Sequence, residues 1–528
     1  MKSGKKNLDN LSKSNRWKLL TLMTVGFTLL TTSIILAVID PGLILARYNL
    51  RMGKGTVLYD LLSKEMAGAL VETYIFNITN AERFMSGEDY KLKVEEIGPF
   101  TYQEYRAHDD LFLDEDTETL RYSPRLSTRF VPELSIADPM DVNVTVPNIP
   151  LLAMASKMGT YPAWTQMGFN ILANRLDSRP VVTLRTHDFL WGYKDPLIAL
   201  GNTLMPGWIN FEKLGMLDRL YDKKAEYTLE VGASDADKFK IKTVNGENGL
   251  SMRGYDPSIR SYCNTFTNTY EGLVYPPQLT PDFPIRIYRN VFCRIMELEY
   301  TETRDMEFGP KAYVYRISNT TFMPGPDNEC LCGNRDCFNG MSDLSPCFYG
   351  FQVYLSQGHL LGADPKIYER VEGLHPDFKK HGSEFVVDPN LGIVLATNFT
   401  LQLNVVVDDV SFNYRTKAFS NTVIPAFYFK IIQPQLPDET KAMFRTLYLV
   451  TPYVCLGIEV FLVTVALVLF AFSARLVYWS WLCGRNSMGF EVTKDEKETP
   501  VYVEPLIERD ANFTVELIPK SQIAKPDS

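Results

Sequence analysis

Four cysteines lie in one short window, CLCGNRDCFNGMSDLSPC, which runs from Cys330 to Cys347. Thiols this close together could bind a metal ion, exchange disulfides or form permanent disulfide bonds. Zinc sites usually combine one C-x₂₋₄-C unit with a second unit or with histidines at a set distance. This window has no second unit at that spacing, no histidine lies within ten residues of it, and a redox C-x-x-C is absent. The pattern therefore favours structural disulfides.

Two further cysteines, Cys263 and Cys293, bring the number in the long middle segment to six. An even number in an oxidising compartment predicts three disulfides but does not determine which residues pair. Cys330 and Cys332 are separated by one residue, so they must have different partners. The other pairings stay open, and the compartment has to be inferred from the ends of the chain.

Two long apolar runs flank the middle segment. The first spans residues 19–39 behind a lysine-rich N-terminus, and the second spans residues 446–474 and is followed by Arg475 and an aromatic cluster. Each is long enough for a bilayer crossing, which needs about 20 residues. A cleavable signal peptide, the alternative for the first run, would have a shorter apolar core. Flanking positive residues stay on the cytosolic side, so both chain ends are predicted to be cytosolic.

The predicted organisation has five parts. They are a cytosolic tail (1–18), a transmembrane helix (19–39), an extracellular or luminal lipid-binding ectodomain (40–445), a second transmembrane helix (446–474) and a cytosolic tail (475–528). Four glycosylation sequons fall in the ectodomain, and we expect three or four to be used: Asn77, Asn143, Asn319 and Asn398. Two more, at Asn10 and Asn512, lie in the predicted cytosolic tails and should stay bare.

The ectodomain sequence is mainly typical of antiparallel β-structure. LQLNVVVDD, from Leu401, alternates apolar and polar residues, and proline- and glycine-rich breaks recur. Two stretches look helical instead: GTVLYDLLSKEMAGALVETYIF, from Gly55, and the segment from Asn148 to Leu176, which contains two amphipathic patterns. The latter helices could be simple core or an exposed docking surface.

No catalytic constellation is evident in the sequence. The sequence has no G-x-S-x-G elbow and no glycine-rich phosphate loop. The histidines are scattered and form no H-E-x-x-H motif; they are His108, His187, His359, His375 and His381. The acidic run at 113–118 resembles a calcium loop only superficially, because it lacks the sixth-position glycine and the terminal glutamate. We therefore predict that the protein is not an enzyme and needs no metal or cofactor.

Two residues of the second apolar region stand out. Glu459 lies inside the run, where a carboxyl is costly. It could mark an oligomer contact or a pore, but we favour a protonated, hydrogen-bonded group near the outer interface. Cys483 lies at the predicted cytosolic face, where S-palmitoylation and a free thiol are the two interpretations.

Several motifs between the two apolar runs resemble the class B scavenger receptor family. They occur in the family's order and are EEIGPFTYQEYR from Glu95, RTHDFLWGYKDPL from Arg185, the six cysteines with CLC, VYLSQGHLLGADPKIYERVEGLHPD from Val353, and NFTLQLNVVV from Asn398. Members of this family include fatty acid translocases, the high-density-lipoprotein receptor, lysosomal integral membrane protein type 2 and insect sensory neuron membrane proteins. The resemblance covers nearly the whole chain.

The resemblance implies a fold and a set of site residues. The fold is a mainly β, α+β ectodomain with an antiparallel β-barrel-like core, an apolar tunnel and a helical apex, held between the two membrane helices. The helices of residues 148–176 would form the apex, with Lys157, Arg175 and Arg179 as docking residues; Asp177 would weaken that basic patch. The implied disulfides are Cys263–Cys330, Cys293–Cys347 and Cys332–Cys337.

The expected function is a receptor that binds lipids or lipoproteins at the apex and conducts lipid through the tunnel to the membrane. Lipids, lipoproteins or anionic particles are the expected partners, with a protein ligand and a homo-oligomer as further options and no nucleic acid. The plasma membrane is the expected location, and a lysosomal or endosomal membrane is the alternative. Two other functions stay open: a trafficking or adhesion receptor for a protein, and a two-span ligand-gated channel.

Overall fold

A computed structural model describes residues 13–204, 211–221, 227–332 and 338–487. The chain divides into two compact units. The smaller contains the two ends of the chain, up to Thr32 and from Phe461, and the larger contains residues 33–460. The larger unit carries the β-structure and the connecting helices, so the protein is mixed α and β.

The strands of the described chain form one large sheet and one small one. In chain order they are β1 (Met66–Ile78), β2 (Leu92–Asp114), β3 (Thr119–Phe130), β4 (Asn143–Pro147), β5 (Val181–Arg185), β6 (Leu229–Gly232), β7 (Ile241–Val244), β8 (Thr269–Tyr270), β9 (Ile285–Arg289), β10 (Arg294–Asp305), β11 (Lys311–Ile317), β12 (Ser342–Asp343), β13 (Val353–Ser356), β14 (Val371–Glu372), β15 (Glu384–Val387), β16 (Val394–Val407) and β17 (Thr422–Ile432). The main order is β7-β6-β3-β2-β1-β17-β16-β15-β11-β10-β9-β8, and β4 pairs with β5 separately. β13 also joins β16, β12 joins β13, and β14 joins β2.

The two ends of the large sheet meet. β7 and β8 are the outermost strands of the order, yet Lys240, the residue before β7, forms an antiparallel bridge with Tyr270 of β8. Neighbouring strands along the order are antiparallel except β8 and β9. A sheet whose edges pair with each other is barrel-like and leaves few edge groups exposed. The predicted antiparallel, barrel-like core is confirmed.

The prediction that the whole stretch from Gly55 to Phe76 is helical is wrong. Helix covers only Val57–Leu62, and β1 begins at Met66. β1 is a central strand that pairs with β2 on one side and β17 on the other. Its methionine, alanine and leucine residues are good helix formers, but propensity is a weak prior, and pairing with two long strands overrides it.

The alternation predicted for residues 401–408 is present in β16, but both faces of the strand are buried. The polar residues are satisfied by side-chain hydrogen bonds. Gln402 Nε2 donates to Asn404 Oδ1 at 2.7 Å, and Asn404 Nδ2 donates to Ser356 Oγ of the adjacent β13 at 2.9 Å. Polar residues in a strand therefore need not face water when the neighbouring strand supplies partners.

Helices connect the strands and form both ends of the described chain. They are α1 (Lys13–Val38), α2 (Pro41–Asn49), α3 (Val57–Leu62), α4 (Ala81–Ser86), α5 (Ile149–Gly159), α6 (Ala163–Arg175), α7 (Thr186–Trp191), α8 (Pro196–Leu204), α9 (Met216–Leu220), α10 (Phe378–His381), α11 (Asp438–Arg445) and α12 (Thr451–Ser487). A π-helical turn, Thr446–Val450, joins α11 to α12. The two helices expected within residues 148–176 are α5 and α6.

Two helical segments are long and apolar enough to cross a membrane. They are Asn15–Val38, with a mean hydropathy of 2.0, and Asp438–Leu482, with a mean hydropathy of 2.7. In the smaller unit the ring of Phe27 lies edge-on against Phe470 with centroids 5.1 Å apart. α12 continues to Ser487, beyond the apolar run that ends at Ala474.

Disulfides fasten the loop between β11 and β13 to the rest of the larger unit. Cys263 is bonded to Cys330, and Cys293, which precedes β10, is bonded to Cys347. Cys332 is also disulfide-bonded. Cys337, the partner that the family resemblance gives it, lies outside the described residues.

Removing the Cys263–Cys330 bond should destabilise the protein by about 4 kcal/mol, because the bond closes a long loop in the unfolded chain. The measurement is thermal unfolding of the full chain carrying Cys263→Ser and Cys330→Ser. Cys455→Ser is the matched control, since Cys455 is a free cysteine. Equal melting temperatures for the double variant and the control would contradict this expectation.

Candidate functional site

A cavity of about 550 Å³ opens inside the larger unit. Its walls come from β1, β2, β3, β16 and β17, which are neighbours in the sheet, and from β9, which lies in the distant part of the same sheet. The cavity therefore lies in the interior of the barrel-like sheet. Most of the wall is apolar, with residues such as Ala69, Leu126, Val394, Phe429 and Ile431. This volume is typical of a site for a small molecule.

One part of the cavity wall leads towards the second apolar helix. Residues 433–437 line the cavity directly after β17. Gln433 Nε2 donates to the carbonyl of Val394 at 3.2 Å, which holds the segment against β16. The chain then continues through α11 and the π-helical turn into α12. A ligand in the cavity thus touches the segment that connects the barrel to this helix.

Another side of the cavity is polar and buried. Arg106, in β2, lies between two carboxylates: its Nη1 is 3.1 Å from Glu271 Oε1, and its Nη2 is 3.7 Å from Glu104 Oε1. The hydroxyl of Tyr122 donates to Glu271, and that of Tyr221 donates to Glu104 Oε2 at 3.0 Å. Each buried charge therefore has the partner that its desolvation requires.

The protonation states of this polar cluster are fixed by its surroundings. Burial would lower the pKa of Arg106, but the charges of Glu271 and Glu104 outweigh burial and raise that pKa. Burial, reinforced by Glu271, raises the pKa of Tyr122, and burial with Glu104 raises the pKa of Tyr221. At physiological pH the arginine is charged and the two phenols are neutral donors.

α6 presents an apolar stripe to solvent. Trp164, Met167 and Ile171 are 74%, 62% and 63% exposed, and their spacing places them on one face of the helix. The neighbouring α5 is mostly buried and is capped by Asn148, whose Oδ1 accepts the N–H of Leu151 at 3.1 Å. Contiguous exposed apolar residues are typical of an interaction surface.

The three basic residues predicted at the apex, Lys157, Arg175 and Arg179, are exposed on or next to these helices. Asp177 Oδ2 is 3.8 Å from Arg179 Nη2, and its Oδ1 is 2.9 Å from Arg415 Nη1. Arg415 was missed from the sequence because it lies far along the chain and carries no local signal. The docking role of these residues stays a prediction, and Asp177 does compete for two of the cations near them.

The predicted modification sites lie in different surroundings. Asn143 and Asn319 are exposed, whereas Asn77 and Asn398 are half-buried. Asn77 Oδ1 accepts the N–H of Thr145 at 2.7 Å, which leaves the amide nitrogen for a glycan. Glycosylation stays a prediction at all four positions.

The two residues predicted in the second apolar region both fall in α12. The backbone carbonyl of Glu459 accepts from Ser33 Oγ at 3.5 Å. Palmitoylation of Cys483 stays a prediction.

Sequence reasoning missed one polar cluster, which consists of Glu96, His359 and His381. Their ligand-type atoms lie within 4.8 Å of one another, and the two imidazole rings stack with centroids 4.0 Å apart. His359 Nε2 is 2.7 Å from Glu96 Oε2. His359 and His381 are close to each other in the sequence, but Glu96 belongs to β2, more than 200 residues earlier. No local spacing therefore links the three residues.

The hydrogen bonds of this cluster do not suit a metal ion. The backbone N–H of His375 donates to His359 Nδ1, and that of Asp377 donates to His381 Nδ1, each at 3.0 Å. Because each Nδ1 accepts a hydrogen bond, the ring proton lies on Nε2, and that atom has no lone pair for a cation. His359 instead donates to Glu96. Burial would raise the pKa of Glu96, but hydrogen bonds from His359 and Tyr428 and the nearby histidines lower it.

Acid should destabilise the larger unit through His381. Burial, together with the neighbouring His359, lowers the pKa of His381 to about 4. Because an unfolded histidine titrates near pH 6.5, the unfolded state binds more protons between pH 6.5 and about 4, and stability falls as the pH falls through that window. His381→Gln should flatten this decrease in the melting temperature of the full chain.

The control is His375→Gln, which removes an exposed ring but keeps the backbone N–H that serves His359. This variant should retain the wild-type dependence on pH. Parallel curves for wild type and His381→Gln would show that His381 does not set the acid sensitivity.

The fold and the cavity together define a class of protein: a barrel-like domain with an internal cavity, whose sequence lies between two apolar helices long enough to span a membrane. The chain belongs to the CD36 family, whose family model matches residues 20–477. The resemblance to class B scavenger receptors is therefore confirmed, and the protein is an integral membrane protein.

Two groups of relatives are similar along most of the chain. Scavenger receptor class B member 1 of Rattus norvegicus is 26% identical, over 96% of this chain and 98% of that protein. Lysosome membrane protein 2 is 26% identical in Rattus norvegicus and 25% identical in Homo sapiens, in each case over 84% of this chain and 91% of the relative. The relatives thus include proteins named as a receptor and as a lysosomal membrane protein.

Proposed function

We propose that this protein is a receptor that binds lipid or lipoprotein at its helical apex and conducts lipid through the barrel to the membrane, without a catalytic step. The observation that carries the proposal is the apolar cavity of about 550 Å³ inside the sheet, whose wall includes the segment leading into α12. Membership of the CD36 family, with a relative named as a scavenger receptor, supports a receptor role.

Physical chemistry explains why a sheltered passage would suffice. Exposing an acyl chain to water costs about 0.8 kcal/mol per CH₂, so a 16-carbon chain faces a barrier on the order of 10 kcal/mol when it crosses water. A continuous apolar wall removes most of that barrier. Transfer down a gradient then needs no ATP, metal or covalent intermediate.

A second, small cavity lies where α5 meets β16 and β17. It has a volume of about 20 Å³, and its wall includes Leu403, Ala426 and Ile149, the first residue of α5. Along β17, Phe427 lies between Ala426 and Phe429, which lines the larger cavity. The rings of Phe427 and Phe429 are 6.0 Å apart. On our proposal these two rings move when lipid passes.

Docking is assigned to the apolar stripe of α6 and the basic residues beside it. Trp164, Met167 and Ile171 would contact the apolar surface of a particle, and Arg175 and Arg179 would contact its anionic groups. We propose that the larger unit lies outside the cell and that both chain ends lie in the cytosol. We propose the plasma membrane as the location, and a lysosomal membrane is the alternative that the second relative's name supports.

Filling the cavity should block transfer but not docking. Ala69→Trp and Thr397→Trp each place a large ring on the cavity wall. Because packed interiors leave little free space, each should reduce cellular uptake of a fluorescent fatty acid by about tenfold. Binding of labelled lipoprotein to the cell surface should stay unchanged, since α6 is not altered.

Ala236→Trp is the matched control, because Ala236 is exposed in a loop outside the cavity wall. Normal uptake by both cavity variants, at equal surface expression, would reject conduction through the barrel. A receptor that traffics or binds a protein partner would then be the better interpretation.

Removing the acid at the apex should strengthen binding of anionic particles. Asp177→Asn releases Arg179 and Arg415 from their ion pair, and exposed pairs of this kind are worth roughly 0.2–1 kcal/mol. We expect affinity for phosphatidylserine vesicles to rise by about two- to fivefold at low salt, with the gain lost at high salt. The control Asp116→Asn removes an equal charge from a different exposed loop. An equal gain in both variants would assign the effect to net charge.

A further inference from the structure

The helix α2 has an apolar face that the described chain leaves exposed. Ile44, Leu45 and Tyr48 are each more than half exposed. Successive residues of an α-helix are about 100° apart, so these three side chains lie on one face of the helix. Contiguous exposed apolar side chains are typical of a surface that contacts something other than water.

The opposite face of α2 is fixed to the barrel. Leu43, Ala46 and Leu50 pack against an apolar cluster that includes residues of β11, β15 and β16. Arg47 Nε donates to the backbone carbonyl of Asn390 at 3.0 Å. Because one face is held in this way, the helix cannot rotate to turn its exposed apolar face inwards.

The chain places this face close to the end of the first apolar span. That span ends at Val38, and the backbone of Asp40 is extended, with a φ of −81° and a ψ of 100°. Asp40 Oδ1 accepts the N–H of Leu43 at 3.0 Å and so caps a new helix. α2 is therefore a separate helix that begins directly after the span.

The start of α2 also lies beside the start of the second apolar helix. A Cβ atom added to Gly42 would lie 2.8 Å from Thr451 Cγ2 and 3.2 Å from Leu447 Cδ1. Thr451 is the first residue of α12, and Leu447 belongs to the π-helical turn that precedes it. Both apolar helices therefore leave the larger unit beside the first turn of α2.

The exposed face of α2 is bordered by a basic side chain. The guanidinium carbon of Arg51 lies 4.1 Å from the centroid of the Tyr48 ring, and Arg51 Nη2 donates to the Tyr48 hydroxyl at 3.2 Å. Apolar residues combined with an aromatic ring and an arginine are typical of a helix at the boundary between acyl chains and head groups. This composition, next to both apolar helices, favours a lipid surface over a protein partner.

We propose that the exposed face of α2 lies in the phospholipid surface of the protein's own membrane, in the leaflet next to the larger unit. Ile44, Leu45 and Tyr48 contact the upper part of the acyl chains, and α2 runs along the membrane surface without crossing it. This inference goes beyond the proposed function, because it holds whether or not the barrel conducts lipid.

This contact would set the orientation of the barrel on the bilayer. Asn390, which accepts from Arg47, and Asp388 both belong to the turn between β15 and β16. The hydroxyl of Tyr448, in the π-helical turn before α12, donates to Asp388 Oδ2 at 2.5 Å. α2 and the start of the second apolar helix thus contact the same turn. β16 then begins at Val394, which lines the cavity, so the membrane contact is linked to the cavity wall by one short segment.

The test places a fluorescent label on the exposed face of α2, in the full chain reconstituted in phosphatidylcholine nanodiscs. An environment-sensitive NBD fluorophore is attached to Leu45→Cys in a background with Cys455→Ser and Cys483→Ser. Phospholipids with a spin label near the head-group end of the acyl chain should reduce the emission by about half, because an interfacial helix buries its apolar face by about 5–10 Å. A spin label near the far end of the acyl chain should quench less. Tyr48→Cys, on the same face, should respond in the same way.

Met167→Cys is the matched control, since Met167 and Leu45 are exposed to nearly the same extent. α6 lies near the other end of β16, because Asn170 Nδ2 donates to the carbonyl of Phe412, which follows that strand. β16 has 14 residues, which puts α6 roughly 45 Å from the turn that α2 contacts, at about 3.3 Å per residue. Neither lipid should quench this label at nanodisc concentrations that keep the discs apart.

Three results would overturn the proposal. Emission typical of water, with no quenching by either lipid, would show that α2 stands clear of the bilayer. Emission typical of an apolar environment, without quenching by lipid, would show that another protein surface such as a second copy of the chain covers this face. Stronger quenching by the deep spin label than by the shallow one would show that α2 enters the bilayer core.

The substitutions themselves should not disturb the fold. Leu45 and Tyr48 are both exposed, so neither change removes a side chain from the packed face of α2. Each labelled variant should melt at the temperature of its background, and the two positions serve as independent readings of the same face.

Discussion

Pairing between the two ends of the β-sheet is the constraint on which this structure depends. The bridge between Lys240 and Tyr270 brings the first and last strands of the order together, so the backbone of the barrel is satisfied by its own strands. A closed sheet of this many strands encloses more space than its inward side chains fill. The cavity is thus a geometric consequence of closure, and the disulfides at Cys330 and Cys347 fasten the long loop outside it.

The charged side chains buried beside the cavity have ion-pair and hydrogen-bond partners. Arg106 lies between Glu104 and Glu271, which leaves one net negative charge, and Tyr122 and Tyr221 donate hydrogen bonds to the two carboxylates. In a low-dielectric interior such a network is stable when every member is satisfied, and costly when one is not. Arg289, on the same cavity wall, forms no ion pair among the described residues, but its positive charge lies near this cluster and offsets the excess negative charge.

The sequence predicted the features that depend on local pattern and missed those that depend on tertiary contact. The two apolar runs, the helices near residues 148–176 and the alternation of β16 are periodic signals, and each corresponds to an element of the structure. The helix predicted over β1 is wrong because the strand begins with good helix formers, and pairing with β2 and β17 makes it a strand. Arg415 contacts Asp177 and His359 contacts Glu96 from more than 200 residues away, and no local spacing encodes such contacts.

The two groups of buried polar residues that the sequence did not reveal differ in one physical respect. In the histidine cluster, backbone N–H groups donate to both Nδ1 atoms, and His359 Nε2 donates to Glu96. These polar atoms therefore have their hydrogen-bond partners within the folded chain. Beside the cavity, the Tyr275 hydroxyl and Arg289 Nε have no hydrogen-bond partner among the described residues. Buried polar groups with partners and buried polar groups without partners therefore affect stability in opposite ways. A satisfied cluster stabilises the folded chain, whereas donors left unsatisfied at a cavity wall gain free energy only when something else arrives to accept from them.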